Sequence, residues 1–540
     1  MSIDFIIIQA GGKGSRLGCL TKNKPKGIVP VNNKPIIFDL FDKFPKKKFI
    51  IIGDYKFDVL KTYLEIFANV KNIPVRASGS GTCGGLRQAL EIIPENQPFL
   101  LIWSDLILAD GFSLDFSDTE NIIGISKEFE CRWSHKNGVF EESPSKEHGV
   151  AGFFAFKDKS VLIDVPEKGE FVKWLSENES KIPFSEVALY GAKEVGTLST
   201  YYEIENKEYR CRPFNEMVLG GDSGSGGSSG DDNSGGSGGG NNSDSGNNSG
   251  SNGGNSNSNT IIKKYLNEQG KQLALREISW YKEAQSLGFT KIPRIYEYEP
   301  LTMERINGSN IFKNTYLQRE KRLIIDNIIE TLSGLHSLKK TQSDKYSVLD
   351  AYYTKTINRI SLVRDLIPHA ERRRIKINGR ECRNVFFYRE AFYKKIVSLL
   401  LCADFAFIHG DCTFSNALTD DALNITLIDP RGYFGFTELY GDVLYDWAKV
   451  YYSIFGNYDQ FNNRNFVLDI DENEITLSIA SNGFEDMAEY FLKSIPDGDE
   501  VRIKLIHAII WLSLTTYAWE DYDSICGAFY NGLYYLEELL

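Results

Sequence analysis

Three groups of residues in this sequence have types and spacings that could do chemistry. The first is the glycine-rich run Gln9-Ala10-Gly11-Gly12-Lys13-Gly14-Ser15-Arg16-Leu17, followed by Lys24-Pro25-Lys26 and Lys34-Pro35. Glycines there let backbone amides approach phosphate oxygens, and the basic residues could neutralise them. It is not a dinucleotide fingerprint, because Leu17 stands where the third glycine is needed, nor a Walker A loop, because Gly14 follows Lys13. The second group is a set of polar turns: Gly81-Thr82-Cys83-Gly84-Gly85-Leu86, Asp105 after the apolar run Phe99–Trp103, and Glu194-Val195-Gly196-Thr197. The third is His409-Gly410-Asp411 with Asn416 five residues on, then Asp429-Pro430-Arg431-Gly432 after an apolar stretch. Phosphoryl transfer needs a carboxylate at the acceptor hydroxyl, and an amide and a second carboxylate for Mg²⁺; Asp411, Asn416 and Asp429 have that spacing.

Elements must hold these groups in place. Phe5–Ile8, Phe49–Ile52 and Phe99–Trp103 read as buried strands, alternating with helical patterns at Ile36–Phe44 and Leu86–Ile92. That alternation predicts a layered α/β sheet. Residues 220–259 are only Gly, Ser, Asn and Asp, with nothing to bury against ordering entropy, so the tract should be disordered. As a coil it would span roughly 35 Å. It is either a plain linker or an insertion in an early hairpin, since Tyr209–Leu219 already reads as a strand of the second domain; we favour the insertion. Beyond it lie a strand at Thr260–Tyr265, a helix near Lys271–Leu287, and long helical patterns at Leu317–Leu338, Arg389–Leu401 and Ile503–Leu540. The expected domains are 1–206 and 207–540.

A chain of 540 residues with 42% hydrophobic content supports more than one core. The net charge of −12 disfavours nucleic acid and anionic membranes as partners. The eight cysteines form no C-x-x-C pair and the six histidines no zinc spacing, which fits free thiols in a reducing cytoplasm. No apolar run approaches transmembrane length, and residues 1–8 lack the basic start of a signal peptide. Small molecules are the expected partners.

The N-terminal motifs resemble the sugar-phosphate and phosphocholine nucleotidyltransferases, whose signature runs Gly-Gly-x-Gly-Ser/Thr-Arg-Leu, Pro-Lys, Lys-Pro. The resemblance implies a Rossmann-like sheet in which Gly11, Gly12 and Gly14 wrap a triphosphate and Arg16 and Lys26 neutralise it. It implies that Gly81 and Thr82 belong to the base-contacting turn, and that Asp105 and Glu194 bind Mg²⁺. Glu194 stands where the family has Asp. Glu142-Ser143-Pro144 falls where sugar-nucleotide enzymes carry Glu-Lys-Pro; the lysine is missing, which weakens the case for a hexose 1-phosphate.

The C-terminal motifs resemble the aminoglycoside phosphotransferase and choline kinase families. That resemblance implies a bilobal, protein-kinase-like α+β domain. Asp411 would be the catalytic base, and Asn416 and Asp429 the Mg²⁺ ligands. Lys263 or its neighbour Lys264, with Lys263 preferred, would meet the nucleotide phosphates, Glu277 would pair with that lysine, and Glu304 would lie in the adenine-contacting strand. No Ala-Pro-Glu segment follows Asp429, which disfavours a protein kinase, and no tidy glycine-rich phosphate loop is present. Together the resemblances imply a bifunctional transferase. One half phosphorylates a small hydroxyl compound with ATP, and the other couples a phosphorylated metabolite to an NTP, with CTP favoured by analogy. The product would be an activated precursor for a surface glycan or lipid. The alternative is a nucleotidyltransferase carrying an inactive, kinase-like binding scaffold.

Overall fold

The computed structural model describes residues 3–114, 120–205, 215–219, 259–496 and 498–540. The low-complexity tract, apart from Asn259, and the first part of the expected strand Tyr209–Leu219 lie outside the described residues.

The N-terminal unit is built on a nine-stranded mixed sheet. Its centre is β1 (Phe5–Gln9), an apolar run in which Ile6, Ile7 and Ile8 are wholly buried. Strand β2 (Lys48–Gly53) lies parallel on one side of β1, with β3 (Lys71–Arg76) beyond it. Strand β4 (Phe99–Trp103) lies parallel on the other side. The loop after β4 carries the short strand β5 (Leu106–Ile107). Strands β6 (Asn121–Ser126), β7 (Gly149–Phe156) and β8 (Phe184–Leu189) complete the main order β3–β2–β1–β4–β7–β6–β8, with β7 antiparallel to both neighbours. A last short strand, β9 (Lys193–Glu194), pairs with β5.

Alternation sorts the two faces of β1. Ile6 and Ile8 pack with α1 (Ile36–Lys43) and α2 (Phe57–Phe67), and Phe5 and Ile7 with α3 (Leu86–Ile92). The chain leaves β1 between β2 and β4. That is where strand order reverses and where open α/β sheets bind ligands, at the carboxyl ends of the strands. Helix α4 (Leu198–Ile204) closes the unit, with Thr197 as its N-cap in a capping box.

In the second unit β10 (Asn215–Leu219) pairs antiparallel with β11 (Thr260–Tyr265), so the strands flanking the low-complexity tract are direct partners. Strands β12 (Ile295–Tyr298) and β13 (Leu301–Glu304) complete the sheet in the order β10–β11–β13–β12. Helix α5 (Glu268–Ser286) follows β11. Helices α6 (Gln318–Ser337) and α7 (Lys355–Leu362), strand β14 (Asp404–Phe407) and the hairpin β15 (Ala417–Thr419)–β16 (Ile425–Leu427) carry the candidate site. Helix α8 (Val443–Ile454) packs on α9 (Glu500–Leu514), and α9 on α10 (Tyr522–Glu537). Helix α9 buries Leu505 through Leu512 without a break, as a central bundle helix does. The helical C-terminus expected over Ile503–Leu540 consists of these two helices, separated by 515–521. Among the described residues no helix is long and apolar enough to cross a membrane.

The units meet over a charged and aromatic seam. Lys24, with 3% of its side chain exposed, lies 2.7 Å from Asp521, the N-cap of α10, and 2.5 Å from Asp523. Asn23 Nδ2 donates to Leu468 O at 2.9 Å. Arg464 meets Glu205 at 3.2 Å and donates to Asn33 Oδ1 at 2.8 Å. The Tyr63 hydroxyl donates to Trp519 O, and the Trp519 ring packs on Phe38 and Phe67. Burial pushes the Asp521 carboxyl up, but Lys24 and Arg464 outweigh it and hold it at about 2.

Removing one member of a buried charge cluster strands the others. Lys24→Met should therefore cost about 3–5 kcal/mol and lower the thermal midpoint of the full chain. Adding Asp521→Asn and Asp523→Asn should recover most of the loss. Because the folded pKa of Asp521 lies below its unfolded value, its contribution is present above about pH 4 and lost as pH falls toward 2. Calorimetry of wild type, single and triple variants from pH 2 to 7 checks both statements; an unchanged midpoint in Lys24→Met would remove the cluster from the account of stability.

Candidate functional site

The glycine run leaves β1 and folds back over Lys26. Gly14 has φ +65° and precedes the 3₁₀ turn Ser15–Thr21. A Cβ at Gly14 would sit 3.1 Å from the Lys26 side chain and 3.2 Å from that of Thr21, so only glycine fits both the dihedral and the space. Gly11 passes close to Asp54, Gly12 borders open space, and Arg16 is exposed beside them.

Lys26 Nζ pairs with Asp105 Oδ2, and both side chains are largely buried. Glu194 comes to the same place through the β5–β9 ladder, where it is in register with Leu106, and Val195 N donates to Asp105 O at 2.9 Å. A Cβ on Gly196 would lie 2.8 Å from Glu194 Oε1, so that glycine makes room for the carboxylate while Thr197 caps α4. Burial, then the neighbouring Asp105, raises the Glu194 pKa against the pull of Lys26 and Arg16. Asp105, Glu194, Lys26 and Arg16 thus form one electrostatic group.

The turn at Gly81-Thr82 is tied to the end of β1. Gln9 Nε2 donates to Thr82 O, and Thr82 Oγ1 accepts from Phe171 N at 2.7 Å. Gly81, at φ +77°, passes so close to Gly169 that a Cβ would lie 2.3 Å from its carbonyl oxygen. Gln9 Oε1 and Trp103 Nε1, on residues paired across β1 and β4, are buried without hydrogen-bond partners. Glu142 accepts from Arg132 Nε at 2.9 Å, and Lys146 is exposed.

A second group forms in the other unit. Lys263 Nζ, on β11, lies 2.5 Å from Glu277 of α5 and 2.8 Å from Asp429, which has φ +58°. Asp411 Oδ1 lies 2.9 Å from Lys449 of α8, and Asp411 Oδ2 accepts from Asn416 Nδ2 at 3.0 Å. Burial pushes the Asp411 carboxyl up, and Lys449 more than offsets it, so it is held below the usual range. The loop is anchored by Asp446, wholly buried, which accepts from His409 N at 2.8 Å and Gly410 N at 2.7 Å and meets His336 Nε2 at 3.0 Å. Glu304 stands apart: its carboxylate accepts from Arg294 N at 3.2 Å, so its side chain does not join the cluster.

Lys449 was not singled out from the sequence. Its signal was present, since Tyr445 and Tyr452 flank it at i−4 and i+3 on one helix face, and its ammonium lies within 6.0 Å of the rings of Tyr445, Tyr452 and Tyr458. Arg431, whose charge acts on Asp411, and Lys355 were likewise not assigned a role.

Residues 6–122 match the nucleotidyl transferase family. The D-glycero-alpha-D-manno-heptose 1-phosphate guanylyltransferase of Campylobacter jejuni is 26% identical over 193 residues, 33% of this chain and 86% of that protein. A UTP–glucose-1-phosphate uridylyltransferase of Haloferax volcanii is 29% identical over 106 residues, 19% of this chain and 43% of its own length. The mannose-1-phosphate guanyltransferase beta-B of Xenopus laevis is 34% identical over 111 residues, 19% of this chain and 30% of its own length. The chain therefore spans less than half of the last two relatives. Among solved structures, HddC from Yersinia pseudotuberculosis aligns over 37% of this chain and 98% of its own, at 21% identity and a TM-score of 0.32.

Proposed function

We propose that the chain is a bifunctional transferase whose N-terminal unit joins a phosphorylated metabolite to an NTP and whose C-terminal unit is a small-molecule kinase. The observation that carries the first reading is Asp105 paired with Lys26, with Glu194 brought to the same place by the β5–β9 ladder at the edge of the glycine run. Two adjacent carboxylates, one with a raised pKa, fit a divalent cation, which prefers oxygen ligands and retains waters and phosphates. Mg²⁺ held there would offset charge on the triphosphate. Gly11, Gly12 and Gly14 would present amides to its oxygens, and Arg16 and Lys26 would neutralise charge on the departing pyrophosphate. An acceptor phosphate oxygen forms the new bond to the α-phosphorus, and the bond to the β-phosphate bridge oxygen breaks. The relatives' names point to a sugar 1-phosphate as acceptor, with guanine and uracil among the bases.

The kinase reading rests on Lys263 held between Glu277 and Asp429, with Asp411 and Asn416 in contact. In that reading Lys263 would meet the ATP phosphates, and Asn416 and Asp429 would hold Mg²⁺. The acceptor hydroxyl oxygen bonds to the γ-phosphorus, its proton passes to Asp411, and ADP leaves. In that reading the strand Leu301–Glu304 would contact adenine, with the Glu304 carboxylate turned to the Arg294 amide.

A screen of Mg²⁺, ATP, each NTP and a panel of alcohols, sugars and their phosphates tests both halves. Asp105→Asn should abolish pyrophosphate release, with a loss of at least ~10²-fold, while sparing ATP-dependent phosphorylation. Asp411→Asn should do the reverse with a pre-phosphorylated acceptor. If Asp411→Asn leaves every ATP-dependent product unchanged, the second unit is a binding scaffold. Pyrophosphate release that survives Asp105→Asn would sink the first assignment.

A further inference from the structure

Beside Asp411 lies a cluster of cations that the phosphoryl transfer described above does not use. Arg431 follows Asp429-Pro430, and its amide donates to His409 O at 2.9 Å. Its guanidinium donates to the hydroxyls of Tyr445 at 2.6 Å and Tyr433 at 3.1 Å. Lys355, the first residue of α7, reaches the same Tyr433 hydroxyl at 3.4 Å. Arg276 lies over the Tyr433 ring at 4.5 Å. Tyr445 also borders Lys449, the partner of Asp411, so the cluster and the proposed catalytic carboxylate share a wall.

What sets the cluster apart is the lack of a carboxylate partner. Lys24, Lys26, Lys263 and Lys449 each meet a carboxylate. Among the described residues none lies within ion-pair distance of Lys355, Arg431 or Arg276; their polar partners are tyrosines. Burial, then Arg431, pushes the Lys355 ammonium down to about 7. Burial would raise the Tyr433 phenol, yet Arg431 and Lys355 pull it down to about 7. Lys355 and Arg431 are half-buried and Arg276 is exposed at the edge; holding such cations together without a carboxylate is costly, and a dianion arriving between them would offset that cost. A π-helical turn, Asp350–Thr354, immediately precedes Lys355; such turns recur at functional sites. An ammonium acceptor would be repelled here.

We propose that Lys355, Arg431 and Arg276 form an anion subsite of the acceptor pocket, so that the compound phosphorylated at its hydroxyl already carries a phosphate group. This rests on the kinase reading of the second unit. The transfer is otherwise unchanged: the hydroxyl oxygen bonds to the γ-phosphorus, ADP leaves, and the proton goes to Asp411.

The test uses the full chain with Mg²⁺ and ATP against matched acceptors: D-mannose and D-mannose 6-phosphate, D-ribose and D-ribose 5-phosphate, glycerol and D-glycerate, and choline. Phosphorylated members alone should be turned over, read as ADP release. Lys355→Met and Arg431→Met should each raise their KM about tenfold or more, with kcat changed far less. Tyr433→Phe, with a smaller KM rise, serves if either variant fails to fold. A second arm titrates the best sugar phosphate calorimetrically into wild type and Lys355→Met without ATP, and the difference reads the subsite. Turnover of choline or a neutral sugar with KM unmoved by Lys355→Met would overturn the subsite and leave the kinase standing. Preference for D-glycerate would overturn the phosphate assignment. Binding lost in Lys355→Met with no turnover of any acceptor would retain the subsite and overturn the kinase reading. No binding difference and no turnover would overturn both.

Discussion

The buried contact of Lys24 with Asp521 and Asp523 is the constraint on which the arrangement of the two units turns. Lys24 precedes Pro25 and Lys26 in the signature segment. Its side chain is spent on the second unit, while Lys26, two residues on, is spent on Asp105. Pro25 is extended, and a 3₁₀ turn begins at Lys26, so the backbone has little freedom to move one lysine without the other. Two negative charges at the start of α10 are stabilised by the helix terminus as well as by Lys24. The segment that contributes Lys26 to the first site is therefore clamped by residues about 500 positions away in sequence. That gives the fusion of these units a physical meaning beyond a shared chain.

Much of the local structure was legible in the sequence because it is local. The apolar runs that became β1, β2 and β4 needed only composition and length, and the alternation of Phe5 and Ile7 with Ile6 and Ile8 sorted the faces of the sheet. The glycine run and Asp105 were singled out from motifs that lie together in sequence, at a turn after β1 and at the end of β4. Contacts between distant segments were not legible. Nothing near Lys24 announces Asp521, and nothing near Lys355 announces Arg431. The helical character of 503–540 was legible, but not the break at 515–521, which has no proline or glycine to mark it. Glu304 was named from a resemblance to an adenine-contacting strand, and such a resemblance does not show that its carboxylate turns to the Arg294 amide.

The proposed sites solve the same problem with opposite electrostatics. Both must receive highly charged phosphates, and neither can leave its own charges bare while waiting. The first pairs Lys26 with Asp105 and sets Glu194 beside them. The second divides its charges: Lys263 is shared by Glu277 and Asp429, and Lys449 is given to Asp411. Only the group at Lys355 and Arg431 is left to tyrosines, with no carboxylate within ion-pair distance among the described residues. A protein that pairs its other buried lysines so consistently gains no stability from that exception. Its cost is the kind that binding an anion offsets, and its position beside Asp411 makes the acceptor the anion that could do so.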